Sequence, residues 1–284
     1  MSTLPLRVVW KANDLLSGDQ AGLVSASATA DELTARGLAT LNRTAWNDNE
    51  QATAAARFVS DELKFTRAAM VYDDTPYAHG LAQAFKAAFE QSGGAVTDFL
   101  MRNVGQSDYG EILNQIAANK PEIIYFAASP DVTTEFAAAK NDAGLQNVAL
   151  MGADVLYPSL AGIGADAEGA YVSLVVPPQS AAVDDFVKRL EAQGGQPEHL
   201  TYSAPAYDAL GLLAEALRQV AKVDGNGNLV IGRQALAQAV RATRGYVGLT
   251  GEITFDEKGD RASGAEVMVY QVQNGDWVQV FPAP

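Results

Sequence analysis

The chain has 284 residues, 48% hydrophobic and 19% charged, with 20 Lys and Arg against 34 Asp and Glu. That apolar share supports a sizeable core in one large or two medium domains and argues against disorder, while the absence of cysteine excludes a disulfide scaffold. The net charge of −14 argues against a nucleic-acid or anionic-membrane partner, because both need a cationic surface to release counterions.

No apolar stretch approaches the roughly 18–20 residues that span a bilayer. A chain with no cysteine suits an exported protein in an oxidising space, and many cytosolic proteins equally. In Met1 to Gln20 the only apolar stretch is broken by Arg7, Lys11 and Asp14. It does not read as a secretory signal, nor clearly as strand or helix, and a poorly ordered start is expected.

From Arg43 onward helix and strand patterns alternate. Asn49 to Lys64 places Ala56, Phe58, Val59 and Leu63 near helical spacing. Arg67 to Asp74 is a short apolar run ending in acids, a buried strand with polar residues at its carboxyl end. Gly80 to Ser92 repeats Leu81, Phe85 and Phe89 four apart, a helix closed by Gly93 and Gly94. Ala95 to Met101 is a strand and Ser107 to Asn119 a helix. Glu122 to Ala128 is a buried strand, and Val132 to Ala143 is a helix closed by Gly144. Val148 to Gly152 and Ala170 to Val176 are strands. This βαβα order predicts a mostly parallel sheet covered by helices on both faces, with ligands at the carboxyl ends of the strands. Those ends carry Asp73, Asp74, Ser129 and Asp154.

After Pro177 and Pro178 the pattern turns helical over Ala181 to Gln193, Ala204 to Lys222 and Arg233 to Thr243, with a turn at Asp224 to Asn228. Glu252 to Asp256 and Glu266 to Gln273 then alternate like antiparallel strands joined by a polar turn around Glu257 to Gly264. Asn274 and Gly275 signal a second hairpin leading into Trp277 to Phe281.

Catalytic signatures are scarce. The two histidines, His79 and His199, lie far apart, and no spacing of His, Asp and Glu matches a zinc site, so no metal or cofactor is expected. The sequence has no nucleophile elbow, no phosphate loop and no dinucleotide fingerprint. Asp73 and Asp74 read as a solvated or capping acid pair. The pattern favours a binder over an enzyme.

Several segments, in order, resemble periplasmic amino-acid binding proteins of the leucine/isoleucine/valine type. AGLVSASATADELTARG at 21–37 resembles the family's strand, Ser-Pro-x-Ala-Thr turn and helix opening Glu-Leu-Thr. Arg43 to Ala45 resembles the first crossover between lobes. VYDDTPYAHGL at 71–81 resembles the strand followed by Tyr-Gly-x-Gly-Leu, and LMGAD at 150–154 the strand ending in an acid. YSAPAYDA at 202–209 and GLTGEITFDEKG at 248–259 resemble late signatures of the family.

The resemblance implies an α/β, type I periplasmic-binding-protein fold, a hinged Venus flytrap of parallel sheets flanked by helices. It implies capture of an amino acid, branched-chain or related, between the lobes, and delivery to the membrane permease of an ABC transporter in the periplasm or cell envelope. Ser27 and Thr29 would hold the ligand carboxylate, with free N–H groups and the dipole of the helix near Asp31 assisting. Ordinary capping of that helix by Thr29 or Asp31 is the competing account. Asp154 would pair with the α-ammonium, since a buried charge needs a fixed partner. Tyr77 and Tyr202 would line the side-chain pocket, one from each lobe, with routine packing at a helix start as the competing account. Two positions depart from the family. Ala26 replaces the usual proline, and Ser129 stands where leucine-type receptors carry an aromatic residue. The latter leaves small amino acids, amides or aromatic ligands open.

The front of the chain lacks several expected βα units. The sequence therefore reads as an N-terminally shortened receptor without a signal peptide. Residues 1–43 with 177–245 would form an incomplete first lobe, and 44–176 with 246–284 the second. The incomplete lobe would expose apolar surface or support self-association. A regulatory or vestigial relative that binds nothing alone is one alternative. An α/β enzyme using Asp73, Asp74 or Asp154 as acid or base is another.

Overall fold

The computed structural model describes residues 22–157, 164–196, 200–262 and 266–282. The readings made for Met1 to Gln20 and for His199 lie outside the described residues. The chain divides into two compact units, Met1–Asn47 with Val176–Glu266, and Asp48–Val175 with Val267–Pro284.

The second unit is built on a seven-stranded sheet. Its strands are β3 (Arg67–Asp73), β4 (Ala95–Arg102), β5 (Ile123–Ala127), β6 (Ala149–Gly152), β7 (Tyr171–Val175), β12 (Val267–Gln273) and β13 (Asp276–Phe281). They lie in the order β13-β12-β7-β6-β5-β3-β4. Neighbours from β7 to β4 are parallel, as the alternating pattern predicts, whereas β12 runs antiparallel to both β7 and β13. Every residue of β5 is buried. A strand covered on both faces can be apolar throughout, and each face has its own aromatic stack. Tyr125 stacks on Phe85 at 4.0 Å between centroids, and Phe126 on Phe136 at 4.1 Å on the other side. The covering helices include α2 (Asp48–Arg57), α3 (Pro76–Gln91), α4 (Gly110–Asn119) and α5 (Thr133–Asp142). Helix α3 starts four residues before the predicted Gly80. Thr75 caps it by accepting from the Ala78 N–H at 3.1 Å, and Pro76 occupies the first turn, where its missing N–H is harmless.

The first unit pairs β1 (Leu23–Ser25) with β2 (Leu41–Arg43) in parallel, with the four-residue α1 (Glu32–Ala35) between them. Its main helices are α6 (Ala181–Ala192), α7 (Leu200–Val220) and α8 (Arg233–Arg241). Leu212, Ala216, Val240, Ile253 and Phe255 form one apolar cluster, and Ala28, Leu33 and Leu41 another. Tyr207, Leu210 and Val247 are exposed. The turn at Asp224 joins a short hairpin, β8 (Lys222–Val223) and β9 (Leu229–Val230).

The tail differs from expectation. β11 (Gly251–Ile253) does not pair with β12; it pairs antiparallel with β10 (Tyr246–Gly248). The cause is Asp208 on α7, which is buried and accepts from the Leu249 N–H at 2.7 Å, the Thr250 N–H at 2.8 Å and the Thr250 hydroxyl at 2.6 Å. Gly248 allows this approach, since a Cβ there would stand 2.4 Å from the Asp208 carboxyl carbon. Arg261 then donates to the Thr250 and Glu252 carbonyls at 2.9 and 3.0 Å. Residues 246–266 therefore belong to the first unit, and the last crossing follows Glu266, about twenty residues beyond the expected place.

Candidate functional site

In the second unit the polar residues gather at the carboxyl ends of the parallel strands. Asp154 follows β6 by two residues and opens a single 3-10 turn, Asp154–Leu156. Leu156 packs onto Gly152, where a Cβ would lie 2.0 Å from Leu156 Cδ1 and displace that side chain. The Asp154 side chain is only 8% exposed. Its Oδ1 accepts from Gln51 Nε2 at 3.0 Å, and the same nitrogen donates to the Ser173 carbonyl at 2.8 Å. Tyr125 of β5 is fully enclosed. Burial pushes its phenol far above the ordinary range, with Asp48 and Asp154 adding to the effect, so the ring carries a neutral hydroxyl.

A second constellation joins the ends of β3, β4 and β5. Asp73 is not a solvated or capping acid, as its pairing with Asp74 suggests. It is buried and accepts from Arg102 Nε at 2.8 Å, and its other oxygen accepts from the Ser129 N–H at 2.8 Å and the Ser129 hydroxyl at 3.0 Å. Arg102 also donates to the Gln106 carbonyl at 2.7 Å. Asp74 is exposed. Ser129 thus ties two strand ends together, and its hydroxyl is engaged with a carboxylate. Tyr77 is the second residue of α3, half-buried beside the core that contains Phe85 and Tyr125. His79 is exposed and lies 3.1 Å from Gln83. Among the described residues no group of His, Asp and Glu is placed to hold a metal ion, and no helix is long and apolar enough to cross a membrane.

In the first unit Ser27 and Thr29 lie in the turn after β1, both half-buried. The helix that follows is only four residues long, so its dipole is small, and Asp31 makes no side-chain cap to it. Capping by Asp31 is therefore not what shapes the turn. The organiser is the buried Arg43, which donates to the Ala30 carbonyl and the Thr34 hydroxyl, each at 2.9 Å, and pairs with Asp260. Ser25 accepts from the Ala28 N–H at 3.2 Å. Tyr202 sits in the first turn of α7, half-buried.

Gln51 and Arg102 escape the sequence reading, and Arg43 enters it only as part of a lobe crossover, without its partners. For Gln51 one signal exists: a polar residue on the helix face that also carries Ala52, Ala55 and Ala56, all buried. Nothing local marks the ion pairs of Arg43 and Arg102, whose acidic partners lie 217 and 29 residues away.

Two α/β units, neither contiguous in the chain and the second with polar groups at its strand ends, make up the type I periplasmic-binding-protein fold. Residues 9–276 match the periplasmic binding protein family, and the chain belongs to that family. It is a binding protein and not an enzyme. The chain is 26% identical over 275 residues to Leu/Ile/Val-binding protein homolog 1 of Brucella abortus, covering 96% of this chain and 70% of that protein. Its fold matches the leucine binding protein LivK of Thermotoga maritima with a TM-score of 0.83 at 22% identity, over 98% of this chain and 77% of that one. A solute binding protein of Rhodopseudomonas palustris in complex with p-hydroxybenzoic acid matches with a TM-score of 0.79 at 20% identity, over 97% and 74%.

Proposed function

We propose that this protein is the substrate-binding component of an ABC importer, working in the periplasm or cell envelope with a membrane permease, and that its ligand is an amino acid of branched-chain or related type. The observation that carries the choice of ligand is Asp154. A carboxylate that is buried and held by Gln51 suits an α-ammonium group, whereas a benzoate brings no cation to it. Ser27, Thr29, Tyr77 and Tyr202 are proposed as further ligand contacts, the hydroxyls for the carboxylate and the rings for the side chain. Ser129 is proposed as a small pocket wall, its hydroxyl already turned to Asp73.

Calorimetry of the full chain against leucine, isoleucine, valine, alanine and p-hydroxybenzoate tests the reading. Heat is expected with at least one amino acid and none with the benzoate; the reverse pattern refutes it. Asp154→Asn is expected to weaken amino-acid binding by about 30-fold or more, the loss of one member of a buried charge pair being worth about 2–5 kcal/mol. A second reading, a regulatory relative that takes no ligand alone, is favoured by the two-stranded parallel sheet of the first unit among the described residues. Silence against every amino acid selects it.

A further inference from the structure

We propose that Gln51 is a positioning residue for the ligand's cationic end, acting through Asp154; this rests on the amino-acid reading above. The Gln51 amide nitrogen has two hydrogens, and both are used, one toward Asp154 Oδ1 at 3.0 Å and one toward the Ser173 carbonyl at 2.8 Å. Gln51 is 4% exposed and Ser173 fully enclosed, so water does not compete for these bonds. Ser173 lies within β7, whose ladder to β12 fixes the position of that carbonyl. The amide is therefore anchored to main chain at one end and sets the rotation of the carboxylate at the other. A carboxylate fixed before the ligand arrives loses less freedom on binding.

Packing alone does not call for glutamine at this place. Its neighbours on the same face of α2 are the buried Asp48 and the alanines Ala52, Ala55 and Ala56, and beside those alanines an apolar side chain would avoid the cost of burying an amide. The Tyr125 hydroxyl adds a second buried polar group. It has no hydrogen-bond partner among the described residues, and burial beside Asp48 and Asp154 keeps it neutral. Such a hydroxyl costs free energy unless water or a ligand group meets it. Together these groups make a low-dielectric wall in which the orientation of the Asp154 carboxylate matters more than it would in water.

The test has two arms. In the free protein, the Gln51 side-chain amide pair is identified by its disappearance from the ¹⁵N NMR spectrum of Gln51→Met. Slow hydrogen exchange, with a shift and faster exchange in Asp154→Asn, is expected; exchange as fast as that of a surface glutamine overturns the proposal. In the second arm, leucine binding is compared in the parent, Gln51→Met, Asp154→Asn and the double variant by NMR titration into the millimolar range. Gln51→Met is expected to weaken binding about tenfold or more, as for one hydrogen bond to a charged group, and to cost no more than about twofold once Asp154 is already Asn. Equal losses in both backgrounds mean that Gln51 supports the fold only. If no amino acid binds the parent, the functional reading fails, while the exchange arm still judges the clamp.

Discussion

At the scale of single residues, the second unit depends on charges that the sequence shows only as unrelated letters. Arg102 and Asp73 are both buried, and they form an ion pair at the end of β3 and β4. Burial acts to lower the Arg102 pKa, but the hydrogen bond and charge of Asp73 together with Tyr109 outweigh it and hold the guanidinium above its ordinary value. Removing the cation strands a carboxylate that also holds Ser129. Arg102→Ala is therefore expected to destabilise the protein by about 3–5 kcal/mol in urea unfolding, far more than an exposed pair would cost. Loss of the exposed Lys86–Glu90 pair on α3 provides the contrast, at about 1 kcal/mol or less. A small effect of Arg102→Ala would show that the two strand ends are held by their apolar neighbours instead. Asp73 was legible as a polar residue at a strand end. Its ion pair was not, because Arg102 reaches it only once β3 and β4 are aligned side by side.

At the scale of elements, most helices and strands of the second unit follow from local chemistry. Apolar residues at helical spacing bury Leu81, Phe85 and Phe89 on one face of α3, and Gly93 at φ +88 closes the helix, a conformation that favours glycine. The sequence pattern starts α3 at Gly80 because the apolar repeat begins only at Leu81, whereas the helix begins at Pro76. The role of Thr75 as its cap makes a prediction. Thr75→Ala is expected to cost about 1 kcal/mol, measured by thermal unfolding, since the Ala78 N–H then loses its partner. Thr75→Ser, which keeps the oxygen, is expected to recover most of it. The hairpin at Asn274 and Gly275 was also legible, both residues having positive φ between β12 and β13. The partner of β11 was not, because alternation marks a strand without naming its neighbour. Asp208, about forty residues upstream, made that choice.

At the scale of the whole molecule, neither unit is a continuous stretch of chain. The second unit takes its two terminal strands from beyond Glu266. A fragment of residues 48–175 would leave the β7 edge and the buried Val172 and Leu174 without β12. It is expected to lack the near-ultraviolet circular dichroism of fixed side-chain packing, and fusing 267–284 through a flexible linker is expected to restore that signal. A native-like spectrum from 48–175 alone would mean that the tail is dispensable to the fold. By itself the sequence determined the α/β class, the order of elements in the second unit and the family, because hydrophobic period and turn residues act over a few positions and the family's segments keep their order along the chain. Only the tertiary structure decided where the tail's strands pair, which buried charges meet and what holds Asp154. Those outcomes depend on groups brought together from distant parts of the chain, whose cost of burial is offset only when each finds its partner.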